Sequence, residues 1–294
     1  MGSGTFTTSS YTSYSCSAGK TLDSRGYVTS GQTFNERSVN KLLNAKNCIR
    51  ECVNTKEHPN TLPVILALDV TGSMGGACKR TAEALGPIVM GLLNKHPNDD
   101  IEFMIMGIGD IECDYSPIQA SQFESDIRIS KAIDKIYIEG GGGGNAYESY
   151  SAAWFFGLNR TKLDCYDKQG RKGIIITMGD EPLNPSLDGR LLKEAIGGET
   201  ANGKILSKDL YNKAKEKFDI YHIAIDDRES SYSHYASRID STFGQLLGEN
   251  LKISTIEDLP KVIEDCVSKS ITSKKATPSV KKEKIINENG EITW

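Results

Sequence analysis

A carboxylate and two hydroxyls follow one apolar segment of the sequence at intervals of two residues. Val64 to Leu68 is an unbroken apolar run, and Asp69, Thr71 and Ser73 come directly after it, with one glycine between the two hydroxyls and two more after them. In an extended or turning segment, residues i, i+2 and i+4 point to the same side. Three oxygen donors would then face one position, which suits a hard divalent cation, Mg²⁺ with Mn²⁺ or Ca²⁺ as alternatives.

Oxygen-bearing side chains also follow the later apolar runs. They are Asp110 after the run 101–110, Asn145 and Glu148 after five glycines at 140–144, and Asp180 and Glu181 at the end of the run 172–182. Taken alone, an acid or hydroxyl after a strand serves equally well as a helix N-cap, and five glycines serve as a flexible loop. Taken together, they predict an acidic rim at the carboxyl ends of the strands, where open α/β sheets bind ligands.

Segments of strand and helix character alternate between residues 62 and 270. The strand segments are continuous apolar runs, which suit strands that are buried on both faces. The helix segments repeat apolar residues at spacings of three and four, as at Cys78, Ala82, Leu85 and Val89. This alternation predicts an α/β fold with a doubly wound, mainly parallel sheet and helices on both of its faces.

Composition divides the sequence into four parts. Residues 1–35 are rich in Ser, Thr, Tyr and Gly, and they predict a polar N-terminal arm, either disordered or added to the sheet as an edge strand. Residues 36–58 carry apolar side chains near helical spacing and predict an N-terminal helix. Residues 59–272 hold the alternating domain. Residues 273–294 predict a polar, Lys-rich C-terminal tail.

Composition and charge also limit the classes of function. The chain has 294 residues, 38% of them hydrophobic, and a formal net charge of −4, so we expect a sizeable core and no general nucleic-acid footprint. No apolar run reaches a membrane span of about 18–20 residues. The N-terminus lacks the features of a secretory signal. Seven cysteines without a CxxC pair indicate reduced thiols, and we expect a cytoplasmic protein without a membrane partner.

The order of these features resembles the von Willebrand factor type A (VWA) domain. The signature of the family's metal ion-dependent adhesion site (MIDAS) is D-x-[ST]-x-S after the first strand, and here it reads DVTGS at residues 69–73. The glycine run before Asn145 resembles the family's Gly-rich loop, in which a Thr or Asp ligand takes the position of Asn145. Asp180, at the end of "IIITMGD", resembles the acidic residue that follows the family's fourth core strand.

The resemblance implies a six-stranded, mainly parallel sheet with one short antiparallel edge strand. The Mg²⁺ ligands that it implies are Asp69, Thr71, Ser73, Asn145 and, through water, Asp180. The residues expected to support or replace these ligands are Asp110, Glu148 and Glu181. The implied function is non-enzymatic: the cation engages an acidic residue of a partner protein, such as an ATPase or a member of a multi-protein assembly.

Two other functions fit parts of the pattern. "DVTGS" also resembles the DKTGT motif of haloacid dehalogenase-type phosphotransferases, in which Asp69 would be the nucleophile and Mg²⁺ would bridge it to phosphate. That chemistry needs a hydroxyl after the second strand, where the sequence reads "IMGIGD", and a lysine near the phosphate. The other alternative is a scaffold in a ribonucleoprotein or larger assembly. The acidic rim disfavours direct contact with phosphate, whereas the Lys-rich tail is compatible with it.

Overall fold

Helices and strands alternate through the central part of the chain. The computed structural model describes residues 4–31, 33–140, 145–198, 203–276, 285–286 and 292–293. The helices in these ranges are α1 (Thr8–Ser17), α2 (Gly75–Lys95), α3 (Arg128–Asp134), α4 (Ser151–Asn159), α5 (Asp164–Asp167), α6 (Gly189–Ile196), α7 (Ser207–Lys217), α8 (Tyr232–Ile239), α9 (Gln245–Leu247) and α10 (Leu259–Ala276). A π-helical segment, Asp240–Gly244, joins α8 to α9.

Fourteen strands lie in the described ranges, and six of them form one central sheet. The fourteen strands are β1 (Thr21–Leu22), β2 (Val28–Ser30), β3 (Arg50–Cys52), β4 (Leu62–Asp69), β5 (Ile101–Ile108), β6 (Ile118–Ala120), β7 (Thr161–Leu163), β8 (Gly173–Gly179), β9 (Ser186–Asp188), β10 (Lys204–Leu206), β11 (Phe218–Ile225), β12 (Leu251–Ser254), β13 (Ile285–Ile286) and β14 (Ile292–Thr293). The central sheet has six strands in the order β12-β11-β8-β4-β5-β6. Every neighbouring pair is parallel except β5 and β6. The predicted mainly parallel sheet with one antiparallel edge strand is therefore confirmed.

The strand register aligns the ends that carry the predicted site. Asp69 pairs with Ile108 across β4 and β5, and Leu68 pairs with Met178 across β4 and β8. Gly179 pairs with Ala224 of β11. Because parallel neighbours end together, the residues that follow β4, β5, β8 and β11 meet at one rim of the sheet.

Each face of the sheet packs against its own hydrophobic core. Val64, Leu66 and Leu68 of β4 belong to a core that includes residues of α2, α3 and α10. Ile65 and Ala67 belong to a second core that includes residues of α4, α6 and α7. Successive strand residues point to opposite faces, so a strand packed on both sides needs an apolar side chain at every position. All eight residues of β4 are buried.

A tight turn carries the chain from β4 into α2. Residues 72–74 form a 3₁₀ turn, and Gly75 begins α2 with a φ of 50°, in the region that favours glycine. A Cβ at Gly75 would also lie 2.8 Å from the carbonyl oxygen of Glu229. A side chain at this position would therefore disturb both the turn and the loop after β11.

Residues 4–31 fold onto the domain, so for these residues the prediction of a disordered or strand-like N-terminal arm over 1–35 is wrong. Thr7 and Ser10 form a capping box at the start of α1, in which each hydroxyl accepts a hydrogen bond of 3.0 Å from the other residue's N–H. Phe6 and Tyr11 are buried in the first core. Strands β1 and β2 follow as a small antiparallel pair. Two aromatic side chains thus hold a polar segment to the domain.

The helix predicted for residues 36–58 does not form. The side chains of Asn40 and Asn44 each accept a hydrogen bond from the backbone N–H two residues on, of 3.1 and 2.9 Å. Asn47 has a φ of 55°, outside the helical region. Asparagine side chains of this kind compete with helical hydrogen bonds and favour turns. The segment makes turns and then enters β3, which pairs with β7.

The C-terminal boundary also differs from the prediction. Helix α10 continues to Ala276, four residues into the predicted tail of 273–294. Within that tail β13 pairs with β14 in antiparallel fashion, and its remaining residues lie outside the described ranges. Among the helices of the described ranges, none combines the length and apolarity that a membrane crossing requires.

Candidate metal centre

Asp69 is the last residue of β4, and its carboxylate is fully buried. Its Oδ1 accepts hydrogen bonds from the N–H of Thr71 at 2.9 Å and from the hydroxyl of Thr71 at 2.6 Å. Its Oδ2 accepts a hydrogen bond of 2.7 Å from the hydroxyl of Tyr150. The spacing of two residues thus brings the first carboxylate and the first hydroxyl together, as the sequence predicts.

Ser73 connects this loop to the end of β8. Its Oγ lies 3.1 Å from Oγ1 of Thr71 and donates a hydrogen bond of 3.0 Å to Oδ1 of Asp180. The other oxygen of Asp180 accepts a hydrogen bond of 2.5 Å from the N–H of Ser231. Four of the predicted ligands, Asp69, Thr71, Ser73 and Asp180, therefore lie in one continuous chain of contacts. We call these four residues the rim cluster.

Asn145 is placed with Asp110 rather than with the rim cluster. Its amide donates a hydrogen bond of 2.5 Å to Oδ2 of Asp110. Oδ1 of Asp110 accepts hydrogen bonds from the N–H of Glu112 at 2.9 Å and from the hydroxyl of Ser149 at 3.3 Å. The glycines at 141–144, which the prediction placed before this ligand, lie outside the described residues. Within the described ranges, no hydrogen bond joins Asn145 to the rim cluster.

Glu148 and Glu181 are both buried beside the rim cluster. Burial raises the pKa of Glu148, and the negative charges of Asp69 and Glu181 raise it further. Burial and the charge of Asp180 raise the pKa of Glu181 to about 7. Glu148 is only 4% exposed, and its Oε2 has no hydrogen-bond partner in the described part of the protein. A buried, unpartnered carboxylate oxygen is costly unless something satisfies it.

Within the described ranges, no Lys, Arg or His forms an ion pair within 4.0 Å with either carboxylate of the rim cluster. Burial raises the pKa of Asp69, with a further contribution from Asp180, and burial also raises the pKa of Asp180. Arg80 stands seven residues after Ser73, but it pairs with Asp227 at 2.6 Å and Glu229 at 2.9 Å instead. Two buried carboxylates without a cationic partner are costly to keep charged, so the site favours either protonation or a bound cation.

The donor set fits a hard divalent cation. Carboxylate and hydroxyl oxygens are ligands that Mg²⁺ and Ca²⁺ accept, and the unpartnered oxygen of Glu148 lies in the same negative region. In the described ranges, no three Asp, Glu, His or Cys side chains converge on a metal position. The rim cluster supplies two carboxylates and two hydroxyls, so any binding there depends on the hydroxyls of Thr71 and Ser73.

Tyr150 and Ser231 are contributors that the sequence did not predict. Tyr150 comes immediately before α4, and its hydroxyl also accepts a hydrogen bond of 3.3 Å from the N–H of Glu181. A Cβ on Gly179 would lie 2.0 Å from the Tyr150 hydroxyl, so the glycine leaves space for the ring. Tyr150 belongs to none of the motifs that the sequence shows, and Ser231 contributes through its backbone, which no sequence motif reveals.

Comparison with known proteins gives similarity of structure only. No protein-family model matches this chain, and no curated protein gives a significant match. It is 12% identical to proximal thread matrix protein 1 of the mussel byssus over 70% of this chain and 48% of that one, with a TM-score of 0.47. The chain therefore spans about half the length of the mussel protein.

Two other similar structures are themselves described as von Willebrand-type domains. The chain is 12% identical to the vWF domain of the type V pili tip protein Mfa5 from Porphyromonas gingivalis, over 76% of this chain and 99% of that one, with a TM-score of 0.48. It is 14% identical to the SpRpn10 VWA domain, over 71% of this chain and 94% of that one, with a TM-score of 0.37. The candidate metal centre rests on its own geometry.

Proposed function

We propose that this chain is a non-enzymatic protein-binding module with a doubly wound, VWA-type domain and a MIDAS-like metal centre. The observation that carries the proposal is the rim cluster, in which Ser73 links the loop after β4 to Asp180 after β8. Both of its carboxylates are buried without a cationic partner among the described residues. A bound divalent cation would compensate that charge.

The chain's own residues explain why such a cation would recruit an acidic partner. Asp69 and Asp180 supply negative charge, whereas the hydroxyls of Thr71 and Ser73 supply oxygen without charge. When bound, Mg²⁺ supplies an open coordination position for a carboxylate oxygen. With few charges around it, that position favours an anionic ligand from outside. The partner is therefore a protein that presents an acidic side chain.

The proposed ligands are the four residues of the rim cluster. Asn145, which the sequence predicted as a ligand, acts here by holding Asp110 through its amide. Glu148, with its unpartnered Oε2 and its electrostatic coupling to Asp69, is the residue proposed to support the site. Mg²⁺ is the proposed cation, with Mn²⁺ and Ca²⁺ as alternatives, and the cytoplasm is the proposed location because all seven cysteines are free thiols.

The phosphotransferase alternative finds less support in the site. Its nucleophile would be Asp69, yet both oxygens of Asp69 accept hydrogen bonds from Thr71 and Tyr150. Strand β5 ends at Ile108 and is followed by Gly109 and Asp110, without the hydroxyl that phosphate binding would use. A ribonucleoprotein scaffold is also less favoured, because the buried acidic rim repels phosphate.

Two measurements test the metal centre and the lack of catalysis. Isothermal titration calorimetry with MgCl₂ should show binding to the wild-type chain and none to Asp69→Asn. Asp265→Asn, which alters an exposed carboxylate on α10, is the matched control and should bind Mg²⁺ as the wild type does. Hydrolysis of p-nitrophenyl phosphate that requires Asp69 would establish the phosphotransferase instead.

A third measurement tests partner binding. Immobilised protein is incubated with a cell extract in Mg²⁺ and then eluted with EDTA. We expect the EDTA eluate of the wild type to contain a specific protein that is missing from the Asp69→Asn eluate and present in the Asp265→Asn eluate. Identical eluates from the three proteins would contradict the proposal.

A further inference from the structure

Helix α8 lies beside the rim cluster and is fixed to it. The N–H of Ser231, the residue before α8, donates to Oδ2 of Asp180 at 2.5 Å. The hydroxyl of Ser231 also donates to the carbonyl oxygen of Ser73 at 3.2 Å. Tyr235 and Arg238 are three residues apart on α8, so their side chains lie on one face of the helix. Any ligand at the rim cluster would approach next to this face.

Arg238 is held by two aromatic rings. Its guanidinium carbon lies 4.6 Å from the ring centroid of Tyr147 and 5.6 Å from the ring centroid of Tyr235. Such cation–π contacts hold the guanidinium in place without pairing its N–H groups with a carboxylate. Within the described ranges, Arg238 forms no ion pair within 4.0 Å. Arg80, by contrast, is occupied by two carboxylates.

Arg238 is also tied to the loop that follows Asp180. The hydroxyl of Thr242 donates a hydrogen bond of 2.8 Å to the carbonyl oxygen of Arg238 and accepts one of 3.2 Å from the N–H of Leu183. Arg238 is half-buried, so its side chain is partly desolvated and still accessible. An arginine of this type, framed by tyrosines, matches the residues that dominate the binding energy of protein interfaces.

We propose that Arg238, held by Tyr147 and Tyr235, is a second anchor for the partner and binds a carboxylate beside the one that the cation engages. The partner segment therefore presents two acidic side chains, one to the metal centre and one to Arg238. This inference rests on the proposed function. Arginine and carboxylate pair through two parallel hydrogen bonds, which fixes the orientation of the partner as well as adding affinity.

A peptide-display experiment tests the two-acid partner. A library of random peptides displayed on phage is selected in Mg²⁺ on the wild-type chain, on Arg238→Gln and on Arg190→Gln, and bound phage are eluted with EDTA. Arg190 is an exposed arginine on α6 whose contact is Glu194, so it serves as the matched control. We expect the peptides selected on the wild type and on Arg190→Gln to contain pairs of acidic residues. Peptides selected on Arg238→Gln should contain single acidic residues.

The affinity of one selected peptide for each protein tests whether its second acid contacts Arg238. Replacing its second acid by the amide should weaken binding to the wild type by about tenfold or more and leave binding to Arg238→Gln unchanged. Mg²⁺ titration of Arg238→Gln should match the wild type. Selection of single acids on the wild type, or of acid pairs on Arg238→Gln as well, would overturn this inference and leave the proposed function standing. Absence of any EDTA-eluted peptide from the wild type would overturn both.

Discussion

The hydroxyl of Tyr150 donates a hydrogen bond of 2.7 Å to Oδ2 of Asp69, and both residues are fully buried. Burial raises the pKa of Tyr150 well above its ordinary value, so the phenol remains a donor. The same hydroxyl accepts a hydrogen bond from the N–H of Glu181. Tyr150 therefore makes a second connection between the ends of β4 and β8, in addition to the one that Ser73 makes.

Replacing Tyr150 by Phe should destabilise the metal-free protein by about 1.5–3 kcal/mol, because a buried carboxylate oxygen loses its donor. The measurement is urea unfolding in EDTA. Tyr221→Phe is the control, since the Tyr221 hydroxyl contacts the neutral Oγ of Ser270 at 3.0 Å, and its loss should cost about 0.5–1.5 kcal/mol. Equal losses in the two variants would show that the hydrogen bond to Asp69 stabilises the protein no more than one to a neutral hydroxyl.

Gly179→Ala should damage the candidate centre without changing any predicted ligand. The new Cβ would lie 2.0 Å from the Tyr150 hydroxyl, so the ring must move away from Asp69. We expect a loss of about 1–3 kcal/mol in unfolding free energy from overpacking and a weaker stabilisation by Mg²⁺. Thermal unfolding with and without MgCl₂ measures both effects.

The control for this prediction is a glycine in an open position. Gly91 lies on the exposed side of α2, and a Cβ there would meet no atom within 4 Å. Gly91→Ala should stabilise the protein by up to about 1 kcal/mol through helix propensity and leave the effect of Mg²⁺ unchanged. If Gly179→Ala behaves in the same way, the site does not depend on the position of Tyr150.

The central sheet was predictable because its central strands are nearly continuous apolar runs, without the alternation of apolar and polar residues that marks a strand with one exposed face. The runs 64–68 and 173–179 are apolar or small throughout, and the run 101–108 departs from this only at Glu102; strands covered on both faces need that composition. The proximity of Asp69, Thr71 and Ser73 was predictable for a similar reason, since their spacing alone places them on one side of a loop. The place of Asp180 at the same rim was predictable because Asp180 comes directly after a long apolar run.

The remaining parts of the site and fold depend on contacts between distant segments. The backbone N–H of Ser231 donates to Asp180, and the amide of Asn145 donates to Asp110 rather than contacting the rim cluster. Neither contact has a local pattern in the sequence. The N-terminal segment was misjudged because its composition is polar, whereas two aromatic residues, Phe6 and Tyr11, decide where it lies.

Phe6→Ala should show that the N-terminal segment is part of the domain. Phe6 is 3% exposed, its ring lies 5.8 Å from that of Tyr11, and its N–H donates to the carbonyl oxygen of Ser125 at 2.8 Å. Truncating a buried aromatic side chain costs about 3–5 kcal/mol, and we expect a loss in that range by urea unfolding. Tyr115→Ala, at a ring that is 97% exposed, should change stability by less than about 0.5 kcal/mol. A similarly small change for Phe6→Ala would mean that the segment is only loosely attached.

His222 should make the protein sensitive to acid. Its ring is fully buried, and its Nδ1 lies 2.9 Å from Oγ1 of Thr177. The ring stacks on that of Phe243 with 3.8 Å between the centroids, and it packs edge-on against the ring of Tyr150 with 4.8 Å between the centroids. Burial lowers the pKa of His222 to about 3. The unfolded chain binds a proton near pH 6.5 and the native state does not, so stability falls as the pH drops from about 6.5 towards 3. This group alone should cost about 2–3 kcal/mol at pH 4.5.

The test compares urea unfolding of the wild type and His222→Leu between pH 7.5 and pH 4.5, so that the contributions of other groups cancel. The difference in unfolding free energy should shift in favour of His222→Leu by about 2–3 kcal/mol as the pH is lowered. Thr177→Val removes the hydroxyl that contacts the ring but keeps the buried imidazole. It should therefore change stability by a constant amount and keep the pH dependence of the wild type. A difference between wild type and His222→Leu that does not vary with pH would mean that the imidazole is protonated in the native state as readily as in the unfolded chain.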